Sequence, residues 1–541
     1  MEGNNDRPED HLDPSTDELS PLNTKQLTLE DDIEKDQQQQ HQSSLLLTRK
    51  RSNVTDQEVI ESLELLLNSV VEIRCNSIPC NFISPWQVQP QVTKNLSGFI
   101  IKDRWILSNA HGVSNHSTIR IRKHGYPKKY PGRILHIAHE CDLVILTVDD
   151  DQFWDNVEPL TFSDKIPRLQ ESIIVVGYPI GGDNLSITKG VVSRVCMSTY
   201  SHSLEKLLTI QIDAAINSGN SGGPAIQEIL SSIDQLSKQV VGMSFQIIKK
   251  AQSIGYIIPV VVIRHLLDDV ELHGRYTAFP EVRFRYQLME NSSYRKYLKL
   301  TDDQHGILVT SIEPTSAFSK ILKEDDVIIA IDDTPIADDG TIYFRRGERL
   351  SFIHLIKSKF VGDTVTLRIV RQGEEITLTS SLCYIPALVP YHSHDKRPEY
   401  LIYAGIVFTV LTRFYLYEWG DNDWAQKAPE NLVNLACNGK LQELTQQIVI
   451  MDQILSDDVN HGITSDAIDA VLKTVNGIKI KNIKHLAELI DEISNKEDNG
   501  FIRFETESEE FIVIQCNEAK QSEERILKQN SIAHARSEHL R

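Results

Sequence analysis

The sequence predicts a mainly β chain in which an all-β domain is followed by two copies of a smaller α+β module. Three observations carry this. Between residues 68 and 262 short apolar runs follow one another at even spacing, separated by Gly, Pro, Asp and Asn. The pattern then switches once to helical spacing. Past residue 275 the order strand, Asp or Asn-Gly turn, helix and hairpin occurs twice. A chain of 541 residues also exceeds what one core supports, and about 150 residues per domain gives three or four.

Residues 1–55 are acidic, carry the run QQQQHQ and hold few aromatics, so they bury too little apolar surface to offset the entropy of ordering. They are expected to be a disordered tail. It ends in a basic cluster, Arg49, Lys50 and Arg51, which reads as a weak nuclear address or as a solvated patch. The all-β domain, 56–272, holds the runs SVVEIRC, SGFII, RWILSNA, STIRIRK, DLVILTV, ESIIVVGYP, SITKGVVSRV, LLTIQIDAAI, QVVGMSF and GYIIPV. A helix over VVIRHLLDDVELH closes it and stops at Gly274. The first module, 275–386, reads HGILVTSIEP, DDVIIAIDDTPIAD, helical RLSFIHLIKSK and the strand pair TVTLRIVRQGEEITLTS. The second, 390–517, reads DAVLKTVNGIKIKN, helical IKHLAELIDEI and GFIRFETESEEFIVIQC. Their order resembles a PDZ domain, which takes up an extended peptide on a sheet edge. Residues 518–541 read as a polar, helix-capable tail.

A formal net charge of -20 argues against broad nucleic-acid binding, which needs clustered Lys and Arg to displace counterions. The seven cysteines are scattered, show no C-x-x-C spacing and read as reduced, mostly buried thiols. The start of the sequence has no apolar core and is acidic, unlike a secretory or transit peptide. LIYAGIVFTVLTRFYLY is interrupted by Arg413 and short for a bilayer span, so it reads as strand and core. The resulting expectation is a nuclear or cytosolic protein, with mitochondrion or plastid as the alternative.

One stretch, INSGNSGGPAI at 216–226, sets Ser221 among glycines. Such a run is a flexible turn as readily as a loop that exposes a nucleophile. A serine hydroxyl needs a base within reach and an acid that orients the base. His111, in SNAHGV at the end of an apolar strand, is the candidate base, although a lone histidine is more often a plain surface or core residue. Asp142 opens the apolar run CDLVILTV, where a carboxylate is costly unless paired. It caps a turn or satisfies His111. The order His, Asp, Ser across an all-β domain fits a two-barrel serine protease. Glycines would let backbone amides around Gly219, Asn220 and Ser221 converge on a developing oxyanion.

SNAHGV, ECDLVILTV and DAAINSGNSGGPAI, followed by two PDZ-like modules, resemble the HtrA (Deg) family of serine endopeptidases. GYPIGG, GVVSRV, RRGERLSF and YLYEWG are similar to its plant-type members, and the likeness runs over about 60–520. The resemblance implies a chymotrypsin-like double β-barrel, ATP-independent cleavage of unfolded or damaged proteins, no metal or other cofactor, and homo-oligomers built from trimers. It makes His111 the general base, Asp142 its orienter and Ser221 the nucleophile. It also places Ala215, six residues before the nucleophile, at the base of the S1 pocket, with Ile216 at its edge, so small or medium aliphatic P1 side chains are expected.

The chain departs from the pattern in two places. Arg283, in FPEVRFRYQ, stands where relatives carry a glycine in the carboxylate-binding loop. The second module keeps Gly405 in AGIVF but adds the insertion EWGDNDWAQKAPE, which fits assembly in place of peptide binding. The loop CMSTYSHSLEKLLT occupies the place from which relatives signal to the oxyanion hole, so a resting state with that hole unformed is an open alternative. So is a catalytically silent scaffold or chaperone.

Overall fold

The structure, a computed structural model, describes residues 66–102, 104–179, 184–217, 219–230, 236–247, 254–496 and 500–541. The tail expected over 1–55 and its basic cluster lie outside these residues. Leu63–Ile229 and Lys238–Arg541 make one compact unit, and the remainder of the chain falls almost wholly outside the described residues.

Seven strands come first: β1 (Val70–Ser77), β2 (Val92–Ile100), β3 (Ile106–Ser108), β4 (His116–Lys123), β5 (Lys129–Pro131), β6 (Arg133–Ala138) and β7 (Leu143–Thr147). They pair antiparallel in the order β5-β4-β1-β2-β3-β7-β6. A short helix, α1 (Ala110–Val113), follows β3. Six more strands close a barrel in the order β10-β13-β12-β11-β8-β9: β8 (Ser172–Gly177), β9 (Ser186–Thr199), β10 (Lys206–Ile212), β11 (Pro224–Leu230), β12 (Leu236–Ile247) and β13 (Gly255–Pro259). Strands such as β7 and β13 are buried along their whole length, which explains their unbroken apolar runs. Helix α2 (Val260–His273) stops at Gly274, whose φ of 68° lets its N–H reach the carbonyl of Val270.

The first α+β module contains β14 (Phe284–Leu288), α3 (Ser292–Tyr297), β15 (Ile307–Ile312), β16 (Val327–Ile331), β17 (Thr334–Pro335), β18 (Thr341–Arg345), β19 (Glu348–Ser351), α4 (Ile353–Lys357), β20 (Thr364–Arg371) and β21 (Glu374–Ser381). Its main sheet runs β14-β15-β16-β20-β21. The hairpin at Gln372-Gly373 has positive φ at both turn residues (55° and 91°), the requirement of a type I′ turn. Helix was expected from Arg349 onward. Instead Gly347, with φ of 77°, closes the β18–β19 hairpin, which pairs Thr341 with Ser351 and delays α4 to Ile353. The module leans on α2 through His265, whose ring lies stacked between Phe279 and Phe360 at 4.3 and 4.4 Å.

The second module contains β22 (Tyr400–Tyr403), β23 (Ile406–Val410), α5 (Arg413–Leu416), α6 (Trp424–Lys427), α7 (Glu430–Asn438), β24 (Val449–Ile454), β25 (Ala470–Val475), β26 (Ile478–Lys479), α8 (Ile483–Lys496), β27 (Phe501–Thr506), β28 (Phe511–Gln515) and α9 (Cys516–Gln529). Its sheet order is β22-β23-β24-β25-β27-β28. The run expected as strand and core is the β22–β23 hairpin, turned at Ala404 and Gly405, followed by α5. Among the described residues no helix is long and apolar enough to cross a membrane. Residues 518–541, expected as a polar tail, pack onto this module: Ala519, Ile526, Ile532 and Leu540 are buried among its apolar residues. Within α9 the buried Cys516, Ala519 and Ile526 recur on one face, which the overall polarity conceals.

Behind that sheet the hydroxyl of Tyr415 lies 3.0 Å from Asp452 Oδ1 and 2.5 Å from Asp469 Oδ1. One phenolic proton cannot serve two carboxylates. Burial pushes Asp452 up to about 7, and the neighbouring Asp469 adds to the effect. A carboxyl whose folded pKa lies above its unfolded value contributes stability that is complete below about pH 4 and lost as pH rises through 7. Between pH 5 and pH 8 the wild-type melting temperature is therefore expected to fall roughly 5 °C further than that of Asp452→Asn, read by scanning calorimetry.

Candidate active site

The stretch around Ser221 is built from two consecutive turns that share Asn220. In the first, the N–H of Asn220 donates to the carbonyl of Asn217 (2.9 Å), and Gly219, the third residue, has φ of 101°. In the second, the N–H of Gly223 donates to the carbonyl of Asn220 (2.9 Å), and Gly222, again third, has φ of 85°. A positive φ at that position is what a type II turn demands and what glycine supplies without strain. Ser221 is the second residue of the second turn, so its side chain stands out from the loop.

Two buried serines pin this double turn. Ser97, on β2, donates from its N–H to the carbonyl of Ser221 (2.8 Å) and from its hydroxyl to the carbonyl of Gly219 (2.8 Å). Its hydroxyl also accepts the N–H of Tyr178 (2.8 Å). Ser244, on β12, donates its hydroxyl to the carbonyl of Asn220 (2.5 Å) and exchanges backbone hydrogen bonds with Gly222 and Gly223. Both sheets therefore hold the loop. Neither serine was singled out from the sequence, because each is one hydroxyl in an apolar strand with no motif around it.

His111 sits on α1, and Asp142 on the turn before β7 reaches it twice. Oδ1 accepts the backbone N–H of His111 and Oδ2 engages its Nδ1, both at 2.8 Å. Asp142 is itself fixed: its carbonyl accepts from Asn109 Nδ2 (2.9 Å) and from the N–H of Ala110 (3.2 Å). Its φ of 55° is a left-handed conformation that short polar side chains tolerate best. The carboxylate is buried and the imidazole is 36% exposed. Lys94 Nζ donates to the carbonyl of His111 at 2.8 Å.

Of the expected site residues the structure brings His111 and Asp142 into direct contact. The hydroxyl of Ser221 donates to the carbonyl of Phe245 at 3.4 Å, and among the described residues no hydrogen bond joins it to His111. Among the same residues the amides of Gly219 and Ser221 donate to no protein acceptor, whereas that of Asn220 is committed to Asn217. Asn220 thus belongs to the loop's frame and is corrected as an oxyanion donor. Ala215 is exposed, with its carbonyl held by Thr188 Oγ1 (2.9 Å), and Ile216 is buried. A Cβ on Gly255 would come within 2.6 Å of Ile216, so the wall there is closely packed. No group of three or more His, Cys, Asp or Glu among the described residues is placed to hold a metal ion.

Residues 96–229 match the trypsin-like peptidase domain, and 289–382 and 389–539 each match a PDZ domain. The chain is 40% identical over 480 residues to the putative protease Do-like 3, mitochondrial, of Arabidopsis thaliana, covering 88% of this chain and 81% of that one. The chain belongs to the HtrA/Deg family of serine proteases. A second Arabidopsis thaliana member, protease Do-like 2, chloroplastic, is 38% identical over 492 residues, covering 91% of this chain and 78% of its own. Among solved HtrA structures, the HtrA-type protease AlgW with decapeptide covers 60% of this chain and 98% of its own, with 20% identity and a TM-score of 0.45. The names of these Deg relatives carry mitochondrial and chloroplastic locations and lend no support to the nuclear or cytosolic expectation.

The two PDZ modules differ at the edge where a peptide would add. In the first, β14 ends the sheet and faces α4 across a groove of about 200 Å³ lined by Phe284, Tyr286, Phe352 and Ile356. Arg283, with φ of 42°, donates from its guanidinium to the carbonyl of Ile385 (2.8 and 3.2 Å). In the second, β22 already occupies the edge of β23. Gly405, expected in a peptide-binding loop, instead turns that hairpin. Lys357, on α4, joins the first module to the protease domain by pairing with Glu205 (3.0 Å) and Glu281.

Proposed function

We propose that this Deg protease is an ATP-independent endopeptidase working by a Ser-His-Asp mechanism. Nε2 of His111 takes the proton of Ser221 as Oγ bonds to the scissile carbonyl carbon; the amides of Gly219 and Ser221 receive the resulting oxyanion. His111 then returns the proton to the leaving amine, and water repeats the sequence on the acyl-enzyme. Asp142 stabilises the imidazolium and keeps Nδ1 protonated. The observation that carries this reading is the double grip of one buried carboxylate on His111, which sets the tautomer the reaction needs.

The placing of the Ser221 hydroxyl on Phe245 favours a resting form that tightens when substrate binds, as catalytic hydrogen bonds often do. It equally favours a second reading, a silent scaffold. Labelling by a fluorophosphonate probe separates the two: the wild type is expected to label and Ser221→Ala to stay blank, whereas no labelling of either, with and without an unfolded protein, sinks the endopeptidase. Substrates would be unfolded or damaged proteins, with extended segments adding to β14. Cleavage of a peptide library after small aliphatic residues is expected, since Ala215 brings no charge to the pocket; a preference for Arg or Lys contradicts it. A homo-oligomer built from trimers and an organellar location complete the proposal.

A further inference from the structure

The connector ahead of β22 carries two histidines, His392 and His394, that pack against two from the protease domain, His139 and His202. The rings of His202 and His394 are stacked at 3.8 Å and 13°. His139 lies 4.9 Å from His394 and 5.8 Å from His392, and 5.2 Å separates His392 from His394. Few hydrogen bonds order the group: His394 Nε2 donates to the carbonyl of His202 (3.0 Å), and one proton is shared between His139 Nδ1 and His202 Nε2 (3.0 Å). Asp395 anchors the connector. Its carboxylate accepts the N–H of Asn115 (2.5 Å) and engages His139 Nε2 (2.8 Å), while its own N–H donates to Asn115 Oδ1 (3.1 Å). The cluster ends against the candidate base, since the ring of His202 stands 6.2 Å from that of His111, edge to face.

We infer that His392, His394 and Asp395 form an acid-released latch, holding the connector against the rim of the catalytic helix at neutral pH and letting go when the cluster takes up protons. Neutral imidazoles stack without cost; a proton on one places a charge 3.8 Å from the next ring. A proton on His139 meets Asp395. Among the described residues, one on His202, His392 or His394 meets no carboxylate within hydrogen-bond reach.

The surroundings do not compensate. Nearby anions are Asp395, Glu140 and Glu205, the last already paired with Lys357. Against them stand Lys396, His273, Arg275 and Arg283 around a cavity of about 750 Å³. Lys94 and His116 lie on the protease side, and the carboxylate of Asp142 is committed to His111. Burial, then the other imidazoles, depresses His202 well below its ordinary value, and burial brings His392 and His394 to about 4. Histidines depressed in the docked form favour docking fully above about pH 6.5 and lose that contribution as pH falls toward 4. Release would free the 200–205 loop beside His111 and open that side to extended polypeptide.

The latch rests on the proposed role of His111 only for its effect on cleavage. Hydrogen exchange on the full chain reads the latch itself, and fluorophosphonate labelling reads the serine. Peptides spanning 391–396 and 200–205 are expected to exchange at least about tenfold faster at pH 5.5 than at pH 7.5, after correction for intrinsic rates. The double variant His392→Phe, His394→Phe keeps flat rings that gain no proton, and its ratio is expected below about threefold. Asp395→Asn removes the anchor's charge and is expected to raise exchange of the same peptides at pH 7.5. Equal protection of the wild type at both pH values overturns the latch. So does a double Phe variant that responds like the wild type, or Asp395→Asn exchange unchanged at pH 7.5.

Discussion

Replacing Asp142 by Asn is expected to lower kcat on a peptide substrate by about 10⁴ while leaving the fold intact. The geometry fixes which way the new amide points. His111 presents a backbone N–H to one carboxylate oxygen and Nδ1 to the other. The backbone N–H can only donate, so the amide oxygen of Asn faces it and the amide NH₂ must face Nδ1. That forces the ring into the tautomer with the proton on Nε2, where it can no longer accept from Ser221. Both hydrogen bonds survive, so the melting temperature is expected to stay within about 3 °C. A loss of less than tenfold in kcat removes His111 as the base.

The second large effect falls on stability as well as rate. Gly222→Ala places a Cβ at φ of 85°, 2.1 Å from the carbonyl oxygen of Ser97 and 2.5 Å from Ser108 Oγ. The nearer atom is backbone, on the strand that also holds Gly219 through the Ser97 hydroxyl, so relief requires the double turn to move. We expect a destabilisation of about 3 kcal/mol or more in denaturant titrations, together with at least about a hundredfold loss of cleavage. Gly125→Ala is the control. Gly125 has φ of 72° with nothing within 4 Å of the added carbon, so it carries only the backbone strain, about 1 kcal/mol. Equal effects at the two positions would show that strain alone, and not the contact with Ser97, governs the loop.

Where structure depends on neighbours along the chain, the sequence is informative. Gln372-Gly373 and Asn476-Gly477 mark hairpin or strand turns because positive φ is a local property, and both pairs adopt it. The glycines at 219 and 222 belong to the same class, and the shape of the Ser221 loop follows from them. What pins that loop is less visible, since Ser97 and Ser244 act across sheets through single hydroxyls. The helix expected from Arg349 shows the opposite failure: its residues suit a helix, but pairing of Thr341 with Ser351 across Gly347 takes the first of them into a strand. The histidine cluster was illegible because His139 and His394 are far apart in sequence and meet only once the connector folds back. Arg283 stands out in the sequence itself, yet its bond to the carbonyl of Ile385 depends on tertiary packing that no run of residues announces.

The edge of the second module has a consequence for the state of the protein in solution. β22 is itself covered on its outer side: the N–H of Ile402 donates to the carbonyl of Ala535 (2.7 Å), that of Ser537 to the carbonyl of Tyr400 (3.0 Å), and Arg536 is clamped to Asp491 on α8. Residues 535–537 thus work as a stopper on a row of backbone groups that would otherwise invite another copy to pair. Without them the β22 edge would present its free backbone groups to any extended chain, so this short stretch blocks strand addition at that edge of the sheet.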